Sequence, residues 1–519
     1  MPWGCPSPSW EPGSLIDGGS MDLFTNLSIG LATALTLSNL LFCFIGVALG
    51  TLIGVLPGLG PVATIAMLLP TTFALSPVSA LIMIAGIYYG AQYGGSTTAI
   101  LINLPGEASS VVTCLDGYQL ARKGKAGVAL ATAAIGSFVA GTIATFVLAF
   151  FAPPLADLAL KFGPAEYASL VILGLVASIV LAHGSLLRAT GMILLGLILG
   201  LVGTDISSAY LRYTFDIYAL ADGIGFVTLA MGIFGVGEIM RNLEQSATRT
   251  VLEKRITGLM PTREELRRMA GPILRGSVLG SALGILPGGG AILASFAAYS
   301  LEKKISKRGK EFGTGVLEGV AAPESANNAG AQTSFIPMLT LGIPSNAVMA
   351  LMIGALIIHG IQPGPMVMSK QPALFWGVVV SMWIGNLFLL ILNLPIIGLW
   401  VRLLTVPYRL LYPAILVFCA IGVYSLNTAP FDIYLMAFFG VLGYVFAKLE
   451  CEAAPLMLGF ILGPMLEEYF RRALLLSKGD PMTFITRPIS AVLLAVAVIS
   501  IFVVMMPALR QKREEAFRG

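Results

Sequence analysis

One stretch of this chain occurs twice. Residues 46–60 read GVALGTLIGVLPGLG and residues 276–290 read GSVLGSALGILPGGG. Eight of the fifteen positions are identical at an offset of 230 residues, and five of those are glycine, which fills only 59 of 519 positions overall. A weaker echo follows at an offset of 239, NLPGEAS at 103–109 against GIPSNA at 342–347. Duplication on this scale constrains architecture before any local pattern does. In both copies an apolar helical run stops at Pro-Gly. Proline lacks the N–H that a continuing helix needs, and glycine admits backbone angles closed to other residues.

The medium around these copies follows from composition. Apolar residues make up 56% of the chain and charged residues 11%, against about 25% charged in soluble domains. So little charge cannot cover a water-exposed surface of this size. The chain reads as an all-α, polytopic integral membrane protein, which excludes a disordered chain. A net charge of +4 is too small for a nucleic-acid footprint. Cys5, Cys43, Cys114, Cys419 and Cys451 are scattered without a CxxC pair; Cys43, Cys114 and Cys419 read as apolar filler. The two histidines, His183 and His359, are far apart, which argues against a histidine metal or nucleophile site. GxxxxGK[ST], HExxH and GxSxG motifs are absent, so the chain is not read as an enzyme. Residues 1–20 have neither the basic start nor the apolar core of a signal peptide and are read as a disordered extension.

Charge also gives orientation. Basic residues gather at 116–125 (Arg122, Lys123, Lys125), at 241–275 (eight, including Arg267, Arg268 and Arg275), at 302–311 (Lys303, Lys304, Lys307, Arg308, Lys310) and in the tail (Arg510, Lys512, Arg513, Arg518). All four face the cytoplasm by the positive-inside rule. Spans are expected at 126–152, 164–182, 189–204, 223–240, 374–400, 411–427, 432–448 and 484–507, with 453–466 short and ambiguous. The organisation is then an extension 1–20, a first membrane half 21–240 with repeat 1 at about 41–125, a cytoplasmic linker 241–271, a second half 272–507 with repeat 2 at about 272–365, and a cytoplasmic basic tail 508–519.

The two copies carry opposite charge signatures. The basic loop 302–311 aligns with uncharged 71–78, and basic 116–125 aligns with uncharged 355–364. Two inverted repeats would leave that pattern. Arg275 and Lys303 share a side, yet eleven residues of helix reach only about 16 Å, half of a ~30 Å hydrocarbon core. Each copy is therefore expected to hold a re-entrant hairpin, with tips at Pro57 to Gly60 and Pro287 to Gly290, followed by a broken helix. Gly46, Gly50, Gly54, Gly276, Gly280 and Gly284, spaced every four residues, are read as packing glycines.

Directly after each hairpin comes a stretch too polar for lipid, residues 90–110 and 323–347. Polar groups at membrane depth usually line a pathway or a site. Broken helices offer N-terminal N–H groups for carboxylates, and unwound carbonyls with Ser, Thr and Asn oxygens suit a hard cation. No arginine lies in either stretch, which favours an anion carried together with cations. The expected substrate contacts are Gly58, Gly60, Ser96, Thr97, Thr98, Asn103, Gly288, Gly289, Gly290, Asn327, Asn328, Thr333, Ser334, Ser345 and Asn346. Na+ is a candidate ligand near Pro57, Asn103, Pro287 and Asn346; Glu107 and Glu324 are the alternative, as proton carriers.

Four segments, GVLPGLGPVATIAMLLP (54–70), YGGSTTAILINLPGEASS (93–110), GILPGGGAILASFAAYSLEKK (284–304) and APESANNAGAQTSFIPMLTLGIPSNAVMALMIGAL (322–356), closely resemble the large membrane subunit of the tripartite tricarboxylate transporter family. The resemblance covers about residues 21–505. It implies a secondary transporter of the bacterial inner membrane that imports citrate-like tricarboxylates or related carboxylates, coupled to Na+ or H+, without a cofactor. It further implies two partners, a small membrane subunit of about four spans and a periplasmic solute-binding protein. A channel, a membrane-embedded enzyme and a dicarboxylate importer of another three-part family are the competing classes.

Overall fold

The computed structural model describes residues 23–56, 60–182, 185–205, 207–244, 256, 258–286, 290–404 and 408–505. The expected N-terminal extension and basic tail, much of the linker, and the tip residues Pro57, Gly58, Pro287, Gly288 and Gly289 lie outside the described residues. The described chain is helical apart from one antiparallel ladder pairing Gly203 with Arg212 and Thr204 with Leu211.

The first half comprises α1 (Leu23–Ala34), α2 (Leu37–Val55), α3 (Pro61–Thr72), α4 (Pro77–Ile102), α5 (Val111–Arg122), α6 (Ala126–Ala159), α7 (Pro164–Leu181), α8 (Leu186–Gly200) and α9 (Phe226–Glu244). The second comprises α10 (Arg263–Gly284), α11 (Gly290–Ile305), α12 (Glu318–Thr333), α13 (Phe335–Leu341), α14 (Ala347–Ile358), α15 (Pro372–Asn393), α16 (Tyr408–Asn427), α17 (Pro430–Lys448), α18 (Ala453–Leu476) and α19 (Pro488–Met505). Helix starts carry the chemistry their position demands. Thr36 and Ser76 accept from Asn39 and Ser79 N–H, and Thr262 and Glu265 form a reciprocal capping box, each satisfying donors that a helix start leaves unpaired.

Among the described residues α2, α6, α9, α15 and α17 are long and apolar enough to cross a membrane. Large apolar side chains stand exposed on the outer helices, among them Phe150, Phe418, Phe438 and Phe502. On a molecule facing lipid they meet no water. With the multiple apolar helices, they make this a multi-pass membrane protein.

Four sequence expectations are revised. The 374–400 span ends at Asn393, and a separate seven-residue helix follows at Ile397–Leu403; Pro395 falls at the stop, where its missing N–H leaves no donor to continue the ladder. The ambiguous 453–466 segment is the 24-residue α18. Its charged half continues the helix through Glu467–Arg471 and Glu468–Arg472 pairs, both 2.6 Å, spaced to face each other across one turn. The expected span at 189–204 corresponds to the 15-residue α8, short of the ~20 residues a span needs. Finally, α2, at 19 residues, is of span length by itself and longer than the half-depth arm expected; α10 begins back in the linker at Arg263, and only its residues 276–284 fall in the second expected arm.

The duplicated glycines govern the packing at the centre. A Cβ built on Gly46, Gly50 or Gly54 of α2 would lie 2.3 Å from the carbonyl oxygen of Met83, Ile87 or Ala91 on α4. On Gly276, Gly280 or Gly284 of α10 it would lie 2.4, 2.3 or 2.4 Å from that of Ala322, Ala326 or Gly330 on α12. The glycines correspond at the offset of 230 and their partners at 239. The same backbone-on-backbone seam is thus built twice, and only glycine permits so close an approach. The copies also interlock. Helix α3 of the first lies on α14 of the second, while α11 of the second lies on the Ala108–Ser110 turn and α5 of the first. Helices α6 and α15 brace the pair from outside the duplicated regions.

Candidate substrate and cation site

Both polar stretches fold against each other. Helix α4 ends at Asn103, which adopts the left-handed conformation (φ 57°, ψ 31°) and is exposed. The corresponding Gly342 ends α13 in the same conformation (φ 72°, ψ 20°). A proline follows each, Pro105 and Pro344, and then an extended N-cap, Glu107 (φ −149°, ψ 166°) and Asn346 (φ −156°, ψ 176°). Asn346 accepts from Met349 N–H at 3.0 Å; Glu107 caps the Ala108–Ser110 turn. The second echo in the sequence is therefore one local backbone design used twice.

The copies meet at these N-caps. Asn346 Nδ2 donates to the Tyr88 hydroxyl at 3.4 Å, and Asn327 Nδ2 donates to Glu107 Oε1 at 3.3 Å. Tyr88 corresponds to Asn327 and Glu107 to Asn346, both at the offset of 239. The two bonds thus join equivalent positions in exchanged roles. Glu107 and Asn346 are partly exposed, whereas Tyr88 and Asn327 are buried.

Around this crossing the polar groups form a connected set. Ser109 donates to Gln92 Oε1 at 3.0 Å and also contacts the Glu107 carboxylate. Glu324, fully buried, is held by the Ser96 hydroxyl at 2.5 Å and by the Thr113 hydroxyl. Asn328 Nδ2 donates to Ser137 Oγ on α6 at 2.7 Å, and Thr145 of α6 bonds Gln332 Oε1 at 3.3 Å. Asn327 Oδ1, Asn328 Oδ1 and Gln332 Nε2 have no hydrogen-bond partner among the described residues. Buried polar atoms rarely stay unpaired, and these three are free to bond water, an ion or a ligand. A cavity of about 10 Å³ lies beside Ser96, bordered by Tyr93, Thr97, Ser137 and Asn393.

The expected site residues divide. Ser96, Asn327, Asn328 and Asn346 join the crossing. Gly290 begins α11, and a Cβ there would lie 3.8 Å from Asn346 Nδ2. Gly60 caps α3 with open space around it. Thr98 donates toward the carbonyls of Gly54 and Val55, each 3.1 Å away, at the end of α2. Thr97, Thr333, Ser334 and Ser345 turn their hydroxyls to main-chain carbonyls of Tyr93, Ala329, Ala331 and Ser334. Asn103 is exposed, and Gly58, Gly288 and Gly289, with the Na+ candidates Pro57 and Pro287, fall outside the described residues. The sequence reading missed Tyr88, Thr113, Ser137, Thr145 and Asn393. Isolated polar residues inside apolar spans were the available signal for Ser137, Thr145 and Asn393. Tyr88 shares a helical face with Gln92 and Ser96, four and eight residues on.

Chemically, the arrangement presents partly exposed amides and helix starts without any basic side chain in the cluster. Neutral donors and main-chain dipoles of this kind are able to hold a carboxylate. Comparisons with known proteins agree in kind. The family model described as "Tripartite tricarboxylate transporter TctA family" matches residues 40–458. An Agrobacterium vitis protein described as "Uncharacterized 52.8 kDa protein in TAR-I ttuC' 3'region" is 62% identical over 497 residues, covering 96% of this chain and 99% of its own. A second from the same organism, "Uncharacterized protein in TAR-II ttuC' 3'region", is 60% identical over 238 residues, 46% of this chain and 98% of its own. No solved structure matches.

Proposed function

The chain belongs to the tripartite tricarboxylate transporter TctA family, as its large permease subunit, and from that premise we propose that it imports a citrate-like tricarboxylate or related carboxylate, driven by a cation gradient. Membership makes it a transporter subunit working with other subunits. The proposal adds the bacterial inner membrane, a cytoplasmic C-terminus, a small membrane partner of about four spans and a periplasmic solute-binding protein that delivers the substrate.

In this reading residues 41–125 and 272–365 are repeats of opposite membrane orientation, each a re-entrant hairpin followed by a broken helix, within halves 21–240 and 272–507. The observation that carries it is the exchanged pair of hydrogen bonds, Tyr88–Asn346 and Glu107–Asn327. A two-fold axis through the crossing would produce that exchange, and inverted repeats bind substrate at such an axis. The substrate's carboxylates would lie against the starts of α3 and α11, at Gly60 and Gly290, and against Asn327 and Asn346. Its charge would be balanced by the co-transported cation rather than by arginine.

The test is counterflow of labelled citrate and other carboxylates in proteoliposomes holding all three subunits. Wild type should exchange at least one carboxylate, and Asn327→Ala and Asn346→Ala should each weaken apparent affinity tenfold or more. Undiminished exchange in both variants would remove the site from the crossing.

A further inference from the structure

We propose that Glu324 carries the coupling proton of this transporter. The inference rests on the transport reading above and deepens it, since it selects the proton over Na+ as the ion handled at this position.

Ser96 Oγ lies 3.0 Å from the Gln92 carbonyl oxygen and 2.5 Å from Glu324 Oε2, but a hydroxyl has one proton to give. Thr113 Oγ1 contacts the other carboxyl oxygen. If Glu324 is ionised, Ser96 can serve only one of its two acceptors. If Glu324 is the neutral acid, Oε2–H donates to Ser96, Ser96 donates to the Gln92 carbonyl and Thr113 donates to Oε1. Every contact is then a hydrogen bond and the site carries no net charge. The surroundings require the same form. Glu324 is 0% exposed, and an ionised carboxylate so deep needs a cation or several strong donors. The titratable groups facing it are Tyr93 from α4, Cys114 from α5 and Glu107 from the break after α4; none is a cation. On its own helix Glu318 is taken by Arg268 at 2.9 Å, and on α10 and α11 Arg275 is taken by Glu302 at 2.8 Å. From α6, Ser137 bonds the neighbouring Asn328 and Gly136 lies against Ser325; neither carries a charge.

The step is a protonation. Glu324 carboxylate takes one proton from the side where the proton concentration is high, the neutral acid crosses with the substrate-bound state, and the same proton leaves to the other side. The small cavity beside Ser96 puts this group next to space on the α6 side of the crossing.

The experiment uses the complete three-subunit complex in proteoliposomes, with membrane potential clamped and a pH gradient or a Na+ gradient imposed separately. Wild type should accumulate carboxylate under the pH gradient alone, with alkalinisation of the outer medium in step with uptake. Glu324→Gln should keep exchange at a tenth of wild type or more, while its pH-driven accumulation ratio falls to about one and proton movement is lost. Glu324→Asp should restore part of the pH-driven accumulation. Wild-type exchange driven by Na+ alone, without proton movement, would overturn the proposal and leave the transport reading standing. So would a Glu324→Gln complex that still accumulates under the pH gradient. Absence of any wild-type exchange would overturn both.

Discussion

The close seams between α2 and α4 and between α10 and α12 can be tested with three alanines. In Gly50→Ala the new Cβ would sit 2.3 Å from Ile87 O and 2.8 Å from Ile87 Cα. In Gly280→Ala it would sit 2.3 Å from Ala326 O and 2.7 Å from Ala326 Cα. Ordinary contact needs about 1 Å more, and main chain cannot rotate away as a side chain can, so the overpacking cost belongs near the top of its usual range, about 3 kcal/mol. Alanine's better helix propensity returns about 1 kcal/mol, leaving a net loss of roughly 2 kcal/mol at each position. At about 2 °C per kcal/mol for a large domain, each variant should lose about 4 °C in apparent Tm, read by the intrinsic tryptophan fluorescence of detergent-purified protein. Gly60→Ala is the control. Gly60 has φ −75° and ψ 168°, angles alanine adopts freely, and nothing stands within 4 Å of a Cβ there. Its Tm should hold or rise slightly, while carboxylate exchange falls because a methyl group now covers the start of α3. Equal losses at 50 and 280 with none at 60 is the expected pattern. A loss at only one of the two seam positions would refute their equivalence, and a loss at neither would refute the close approach itself.

Other consequences follow from single residues. Asp116 is fully buried and accepts from the N–H groups of Gly313 (3.0 Å), Gly315 (2.7 Å) and Val316 (2.9 Å) and from the Tyr299 hydroxyl (2.9 Å). Asp116→Ala strands those donors at about 1–3 kcal/mol each, so size-exclusion profiles should show mostly aggregate; Asp116→Asn, which keeps one acceptor oxygen, should stay largely monodisperse. In the loop after α8, the Arg471 guanidinium holds the Asp205 carboxyl below its usual range, helped by the Ser207 N–H. A depressed carboxyl stabilises the fold above its unfolded value of 3.8 and ceases to do so as pH falls through the folded value. Asp205→Asn should therefore lower Tm at pH 7, with the difference from wild type shrinking below about pH 4.

What could be read from the sequence depended on whether a physical signal stayed local. The glycine ridge was legible because four-residue spacing and an identical partner 230 residues away leave little else to explain it. The break after α4 was legible from Asn-Leu-Pro and its echo. The extent of α18 was not, because a search for an apolar span stops where charge begins, while the i,i+4 pairs of Glu467 and Glu468 carry the helix on. Nor was Asp116 legible as an anchor. Its acceptors' partners lie about 200 residues away, and a single aspartate in a polar loop carries no mark of that. The same distance hid Tyr88, an ordinary aromatic until Asn346 is brought beside it.

The contrast in tightness between the seams and the crossing says where the molecule should yield. Within each copy, three glycines bring main chain against main chain, and prising α2 from α4 would open that whole interface. Between the copies the contacts are uneven: the Tyr88–Asn346 and Glu107–Asn327 bonds are long, 3.4 and 3.3 Å, whereas Ser96 and Thr113 hold Glu324 and Asp116 collects four donors of the second copy. The copies should therefore part first at Tyr88–Asn346 and Glu107–Asn327, pivoting about the Glu324 and Asp116 contacts, while α2–α4 and α10–α12 move as rigid pairs. A flexible thiol-reactive linker joining cysteines placed at 88 and 346 should then stop carboxylate exchange, and cleavage of the linker should restore it. Exchange that continues with 88 and 346 tied together would mean the crossing does not open, and the moving interface would have to be sought on the α6 and α15 side.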